Sequence, residues 1–263
     1  MSSLSYAMTD SSTMIRRQMR HMIRYPSLTV MLVGMPVVFL LLFVYVFGGT
    51  LGAGLGGGAA GRNTYLVYVV PGILLMTIAG GAQGTAISVA MDMTEGIVAR
   101  FRTMAISRAS VLVGHVVGSL VQTMISIAVV LGAALLIGFR PSAGPIEWAA
   151  IIGLLALATF AVTWLSVAFG MVTNSVETAS NIPMFLMLMP FLGSGFVPTA
   201  SMPAAIRWFA EYQPFTPIME TLRGLLMGSP IGGSGMLAVG WCVAIALLGF
   251  LWSVRLYERN SAR

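Results

Sequence analysis

Apolar residues in this chain come in long runs, separated by short clusters of glycine, proline and charge. A helix crossing a hydrocarbon core of about 30 Å needs roughly 20 residues at 1.5 Å each. Six runs meet or approach that length: 28–47, 65–90, 111–137, 148–172, 182–197 and 236–254. The first holds 14 residues of the Leu, Ile, Val or Phe type, which at about −0.3 to −0.6 kcal/mol each favours insertion by roughly 4 to 8 kcal/mol. The pattern predicts an all-α, polytopic membrane protein with six transmembrane helices, a single transmembrane domain over residues 1–263. The fifth run carries Pro183, Pro190, Gly193 and Gly195, so its helix is expected to kink or partly unwind.

The segments between the runs predict further elements. In residues 10–25, Ile15, Met19, Met22 and Ile23 fall at helical spacing while Arg16, Arg17, Arg20 and Arg24 recur on the other face, which reads as an interfacial amphipathic helix in the inner headgroup layer. Gly48 to Gly61, with eight glycines in 14 residues, reads as a flexible external loop. Gly52, Gly54 and Gly57 match a G-x-G-x-x-G spacing, but no acidic residue follows at the ribose-binding distance, so this is not a dinucleotide site. Residues 198–233 are too polar and proline-rich for one span. Ser201 with Pro203, and Thr216 with Pro217, read as capped starts of short outer-face or re-entrant helices between spans five and six.

Composition narrows the class. Apolar residues make up 57% and charged residues only 8%, against about 25% charged in soluble domains. All 14 basic residues are arginine, and the lack of lysine excludes the phosphate-gripping loop of nucleotide hydrolases. Basic residues near spans are retained in the cytoplasm. Six crossings with both termini inside put ten arginines there and leave only Arg62, Arg140, Arg207 and Arg223 outside, which favours N-in, C-in. The net charge of +6 points to anionic lipid headgroups rather than nucleic acid, because the arginines sit in short clusters between spans. The single cysteine, Cys242, lies in an apolar run and reads as a small apolar side chain.

Catalytic and ion-coupling chemistry is sparse. Asp10, Asp92, Glu95, Glu147, Glu177, Glu211, Glu220 and Glu258 fall at predicted ends or loops, so a midplane proton relay has no evident members. Ser234 lies in a G-x-S-G pattern, but His21 and His115 are both expected at the inner side, away from it. His115, Gln83, Gln122, Ser119, Thr123 and Asn181 read as polar contacts between helices. Gly80 with Gly84, and Gly114 with Gly118, have the small-xxx-small spacing of close helix packing. The 20 methionines, Met184, Met187 and Met189 among them, suit either core filling or an adaptable surface for bulky apolar cargo.

The connection between spans two and three, residues 92–108, is the most informative segment. Ile97, Val98, Phe101 and Met104 form an apolar stripe, and Asp92 and Glu95 precede Arg100, Arg102 and Arg108 as a helix dipole prefers. A short helix of this kind could dock on a cytoplasmic partner; a solvated turn whose arginines only fix topology is the alternative.

The run Glu95-Gly96-Ile97 to Arg100-Phe101-Arg102-Thr103-Met104, closing on Ile106-Ser107-Arg108, resembles the coupling segment of ABC-2-type export permeases, in particular the daunorubicin-resistance permease group. Downstream, Gly195-Phe196-Val197-Pro198, Met202-Pro203, Gln213-Pro214-Phe215-Thr216 and the pair Glu220 and Arg223 resemble that family's external signature, and Glu177 matches a position where it often carries an acid. Ala105 stands where proline is common and Gln213 where asparagine is common.

The resemblance implies a dimer of six-span subunits in the bacterial cytoplasmic membrane, either two copies or this chain with a sister permease. Two ABC ATPase subunits, carrying ATP and Mg, would dock against Asp92, Glu95, Gly96, Arg100, Phe101, Arg102, Arg108 and Glu177, with Pro198, Pro203, Pro214, Glu220 and Arg223 in the external signature. It implies no cofactor and no catalytic residue on this chain. Expected cargoes are amphipathic drugs, lipids and lipid-linked sugars. An ion-coupled or passive carrier is the competing class, and a membrane enzyme acting on lipids or peptides is the third.

Overall fold

A computed structural model describes residues 26–55, 61–94, 108–173 and 175–261. Lipid offers no partner for backbone N–H and C=O groups, so a chain this apolar must satisfy them within helices. Among the described residues there is no strand. The order is α1 (Pro26–Leu41), a π-helical segment (Leu42–Phe47), α2 (Gly48–Gly54), α3 (Gly61–Thr94), α4 (Arg108–Ile137), α5 (Pro145–Val172), α6 (Val176–Leu188), a 3-10 turn (Thr199–Ser201), α7 (Ala204–Tyr212), α8 (Phe215–Met227) and α9 (Ser234–Ser261).

Among the described residues, five stretches are long and apolar enough to cross a membrane: Val30–Gly54, Gly61–Thr94, Leu112–Ile137, Pro145–Val172 and Ser234–Tyr257. They correspond to five of the six expected runs. The most apolar window of α3 is 83% buried, against 28% for α4 and α9 and 17% for the first stretch, so α3 is the axis of the molecule. The less buried helices turn large apolar side chains outward, among them Val30, Leu136, Met236 and Leu248, a surface that only lipid or another apolar chain tolerates. α9 runs along α5, and α3 touches α1, α2, α4, α5, α6 and α8.

Two expectations change, and a third, the break in the fifth run, is met. The glycine-rich stretch is not a loop over its first half: Gly48–Gly54 is helical. A Cβ on Gly52 would strike the backbone of Gly61, and one on Gly61 would lie 3.1 Å from Ala53 N, so glycine lets α2 and the start of α3 meet backbone to backbone. The fifth run is a helix only to Leu188; Pro190, Gly193 and Gly195 end it, and turns carry the chain on to 196. Gln83 Nε2 donates to Ser180 O at 2.8 Å and Tyr65 Oη to Phe196 O at 3.1 Å. The 180–196 stretch therefore accompanies α3 over 18 residues, about 27 Å of helix. Finally, Ser201 and Thr216 do not cap helices. Pro203 and Pro214 occupy the N-cap positions of α7 and α8, without a side-chain cap bond.

The expected pair Gly80 and Gly84 does not bring two helices together backbone to backbone. Gly84 faces open space and Gly80 meets only Leu32 Cδ1, 3.1 Å from a built Cβ. Close approach occurs instead at Gly81 against Thr123 and at Gly170, whose Cβ would lie 2.6 Å from Ala86 O. Cys242 is buried in the core, as expected of a small apolar side chain.

Candidate functional site

The turns after α6 leave buried backbone polar groups without helical partners, and each one left unsatisfied costs about 1–3 kcal/mol. Side chains from three other elements supply the partners. Gln213 Nε2 donates to Met189 O (3.2 Å), Ser194 N–H donates to Thr216 Oγ1 (3.3 Å), Arg223 donates to Ser194 O (2.7 Å), and Tyr65 reaches Phe196 O. Thr216 Oγ1 in turn donates to Ala210 O at 2.5 Å, tying α7 to the same knot. Gln213 Oε1 accepts Phe215 N–H at 3.1 Å, which supplies the cap that Pro214 lacks. The apolar side is closed by aromatic rings: Phe191 stacks on Phe196 with centroids 4.2 Å apart, and Phe43 of the π-helical segment lies 4.5 Å from Phe196.

Gly72 follows Pro71 inside α3, and a Cβ there would lie 2.8 Å from Gly195 O. Gly72→Ala is expected to destabilise the fold by about 1–3 kcal/mol through overpacking. Gly84→Ala, facing open space within the same helix, is expected not to lower the thermal unfolding midpoint in detergent.

Arg223 is the strongest electrostatic feature of this outer cap. Its Nη2 bridges Tyr68 O (3.2 Å) and Ser194 O (2.7 Å), and its guanidinium lies 3.9 Å from the Tyr68 ring centroid. Burial pushes the Arg223 pKa down from its ordinary value, while Tyr68 and Glu220 oppose that shift. An arginine stays charged under such opposition. Glu220 Oε2 accepts from Ser234 Oγ at 3.2 Å, joining α8 to the start of α9. Pro198 begins the 3-10 turn, so the five external-signature positions Pro198, Pro203, Pro214, Glu220 and Arg223 lie along one continuous segment.

At the opposite end of α3, Asp92 and His115 form a buried pair, Nε2 to Oδ2 3.0 Å. An ionised carboxylate can only accept, so the imidazole N–H donates. Asp92 thus turns into the α3–α4 interface. His115 is the helix contact its sequence setting suggested, with a partner 23 residues upstream rather than one turn away. Farther along the same pair, Thr85 Oγ1 donates to Ser119 Oγ at 2.6 Å.

Arg108 opens α4, and Glu177 is exposed in the first turn of α6, behind Ser175, whose side chain accepts Thr178 N–H at 3.2 Å. Glu95, Gly96, Arg100, Phe101 and Arg102 of the connector lie outside the described residues, as do Arg16, Arg17, Arg20 and Arg24 of the expected interfacial helix. No three metal-ligating side chains cluster among the described residues. Ser234 and His115 are not brought together: the serine bonds Glu220 and the histidine bonds Asp92.

Comparison with known proteins places these two ends in a family. Residues 9–227 match the ABC-2 type transporter family, from before the first span to the last residue of α8. The chain belongs to that family. It is 26% identical over 261 residues to the daunorubicin resistance ABC transporter permease protein DrrB1 of Streptomyces coeruleorubidus, covering 97% of this chain and 88% of that one. It is 29% identical over 192 residues to the probable doxorubicin resistance ABC transporter permease protein DrrC of Mycobacterium tuberculosis, covering 69% and 67%. These relatives are permease proteins, the membrane component of an ABC transporter.

Within this ABC-2 permease, the sequence pointed to Arg223, Glu220 and Asp92 but not to Tyr68, Ser234 and His115 as their respective partners, nor to Tyr65 and Thr216 as partners of the broken helix. Tyr65 and Tyr68 carried one usable signal. A tyrosine hydroxyl in an apolar span needs a partner, and two tyrosines one turn apart mark where non-helical backbone could supply it.

Proposed function

We propose that this chain is the membrane-spanning permease subunit of an ATP-driven exporter of the bacterial cytoplasmic membrane, with its termini inside. Six crossings are counted by taking α6 and its following turns as the fifth. Two permeases, copies or sisters, would pair, and two ATPase chains would bind beneath them, holding ATP and Mg. The cargo would be amphipathic and drug-like, or a lipid or lipid-linked molecule, moved outward. The observation that carries this reading is the family match over 9–227, which takes in both the arginine-rich connector and the outer cap. Two relatives named for daunorubicin and doxorubicin resistance support the cargo class.

The geometry supplies a route. Glu95, Gly96, Arg100, Phe101 and Arg102, with Glu177 nearby, would receive the ATPase. Closure of the ATPases would displace the connector and with it α3. Because Tyr65, Tyr68 and Gly72 on α3 hold the broken helix, the same displacement would reach the outer cap directly. The competing carrier has one observation in its favour, the buried Asp92–His115 pair, which could hold a proton.

Inside-out vesicles containing the permease and its ATPase separate the two readings. Mg-ATP is expected to drive accumulation of an amphipathic cationic dye that survives an uncoupler. Accumulation that ignores ATP and collapses with the proton gradient would instead establish the carrier.

A further inference from the structure

The Asp92–His115 pair is buried between α3 and α4, away from water. Taking a carboxylate and an imidazole out of water carries a desolvation cost that their mutual contact must offset. Both side chains are nine-tenths buried, and burying two such groups rarely adds net stability over apolar residues of the same volume. A buried pair of this kind is retained for what it fixes.

What it fixes is the register and separation of α3 and α4. The two helices meet through Asp92 with His115, Thr85 with Ser119 and Gly81 with Thr123, so each step down α3 is matched by a step up α4. They are therefore an antiparallel hairpin whose closed end is the connector, residues 95–107. Of these three contacts between α3 and α4, the pair is the one nearest that closed end. Around it lies a small apolar cluster separate from the main core, Val89 and Leu112 with Trp164, Met171 and Tyr257, which brings α5 and α9 to the same point.

We propose that Asp92 and His115 are a positioning pair that welds the two roots of the connector, so that a displacement of the connector moves α3 and α4 as one lever. Without the weld the roots splay, and the motion is absorbed before it reaches the outer cap. This rests on the reading that the connector receives a partner ATPase. It adds that the force passes through a specific buried contact rather than through the helices' general packing.

The test uses the permease purified with its ATPase and reconstituted into liposomes, with ATP hydrolysis and ATP-driven movement of an amphipathic cationic dye measured in the same sample. In His115→Ala, dye moved per ATP is expected to fall at least about tenfold, while ATPase association and hydrolysis stay within about twofold of the parent, and Asp92→Asn is expected to show the same fall in dye moved per ATP. The exchanged double variant, Asp92→His with His115→Asp, is expected to restore the ratio. It rebuilds the pair with the imidazole on α3 and the carboxylate on α4, so that the same donor and acceptor meet across the two helices.

Should the single variants fail to assemble, the exchanged variant decides alone. Parental transport per ATP supports the weld, and an assembled but uncoupled complex overturns it. An unchanged ratio in the single variants also overturns it. If no ATPase co-purifies with the parent protein, or if dye movement follows a proton gradient and both single variants abolish it, the exporter reading itself fails. The pair is then a proton site.

Discussion

Reversing two connector charges together, Arg100→Glu with Arg102→Glu, is expected to strip the ATPase from the purified permease and abolish ATP-driven transport. Both arginines lie in the segment that joins the antiparallel helices α3 and α4, whose ends at Thr94 and Arg108 face the same side as the exposed Glu177. Like charges facing each other across an interface cost several kcal/mol, and each 1.4 kcal/mol is tenfold in affinity, so recovery should drop by more than about tenfold. Arg207→Glu is the matched control. Arg207 is exposed and pairs with Glu211 at 2.7 Å on α7, an ion pair worth about 1 kcal/mol or less, on the opposite side of the molecule. Undiminished recovery of the ATPase with the double reversal would falsify the docking claim.

The second large effect is expected at Arg223. Arg223→Ala removes the donor to Ser194 O, a buried carbonyl outside any helix, and a second bond to Tyr68 O, which stays within the α3 helix. At about 1–3 kcal/mol for the stranded carbonyl, and up to about 2 kcal/mol for the cation over the aromatic ring, the outer cap should loosen by about 2–5 kcal/mol. Transport should fall by an order of magnitude or more while the ATPase still binds at the far end. Arg223→Lys should not rescue it, because an ammonium does not reproduce the planar guanidinium that both bonds the carbonyls and lies over the Tyr68 ring. The readouts are dye efflux and protease sensitivity of residues 189–203. Parental values for both in Arg223→Ala would show that the broken helix is held by something else.

Spans were legible in the sequence because lipid imposes a single requirement, an apolar helix of sufficient length, and the chain meets it almost without interruption. Pro190, Gly193 and Gly195 likewise announced that the fifth run would break. What the pattern could not announce was the repair. Tyr65 and Phe196 are 131 residues apart, and Arg223 reaches back 155 residues to Tyr68, contacts that no local periodicity encodes. The glycine-rich stretch misled for a physical reason. Glycine costs a helix about 1 kcal/mol in water, but between membrane helices the close approach it permits outweighs that loss, as at Gly52 against Gly61. Ser201 and Thr216 misled because a proline nearby suggested a cap. Thr216 instead spends its hydroxyl on Ala210 O and Ser194 N, and Gln213, read only as a departure from the family pattern, accepts Phe215 N–H just after Pro214 and donates to Met189 O at the end of the broken helix. His115 was read correctly as a helix contact, but its partner lay across the connector, where spacing rules within one helix do not reach.

Every functional step here depends on which side of the bilayer the connector occupies. The direct measurement is thiol labelling of Arg100→Cys in intact cells and in inverted vesicles, with Cys242, the sole native cysteine and a buried one, replaced by alanine. A membrane-impermeant maleimide is expected to label position 100 only in inverted vesicles, and less when the ATPase is bound. Labelling from the outside of intact cells would put the connector out of an ATPase's reach and contradict the account.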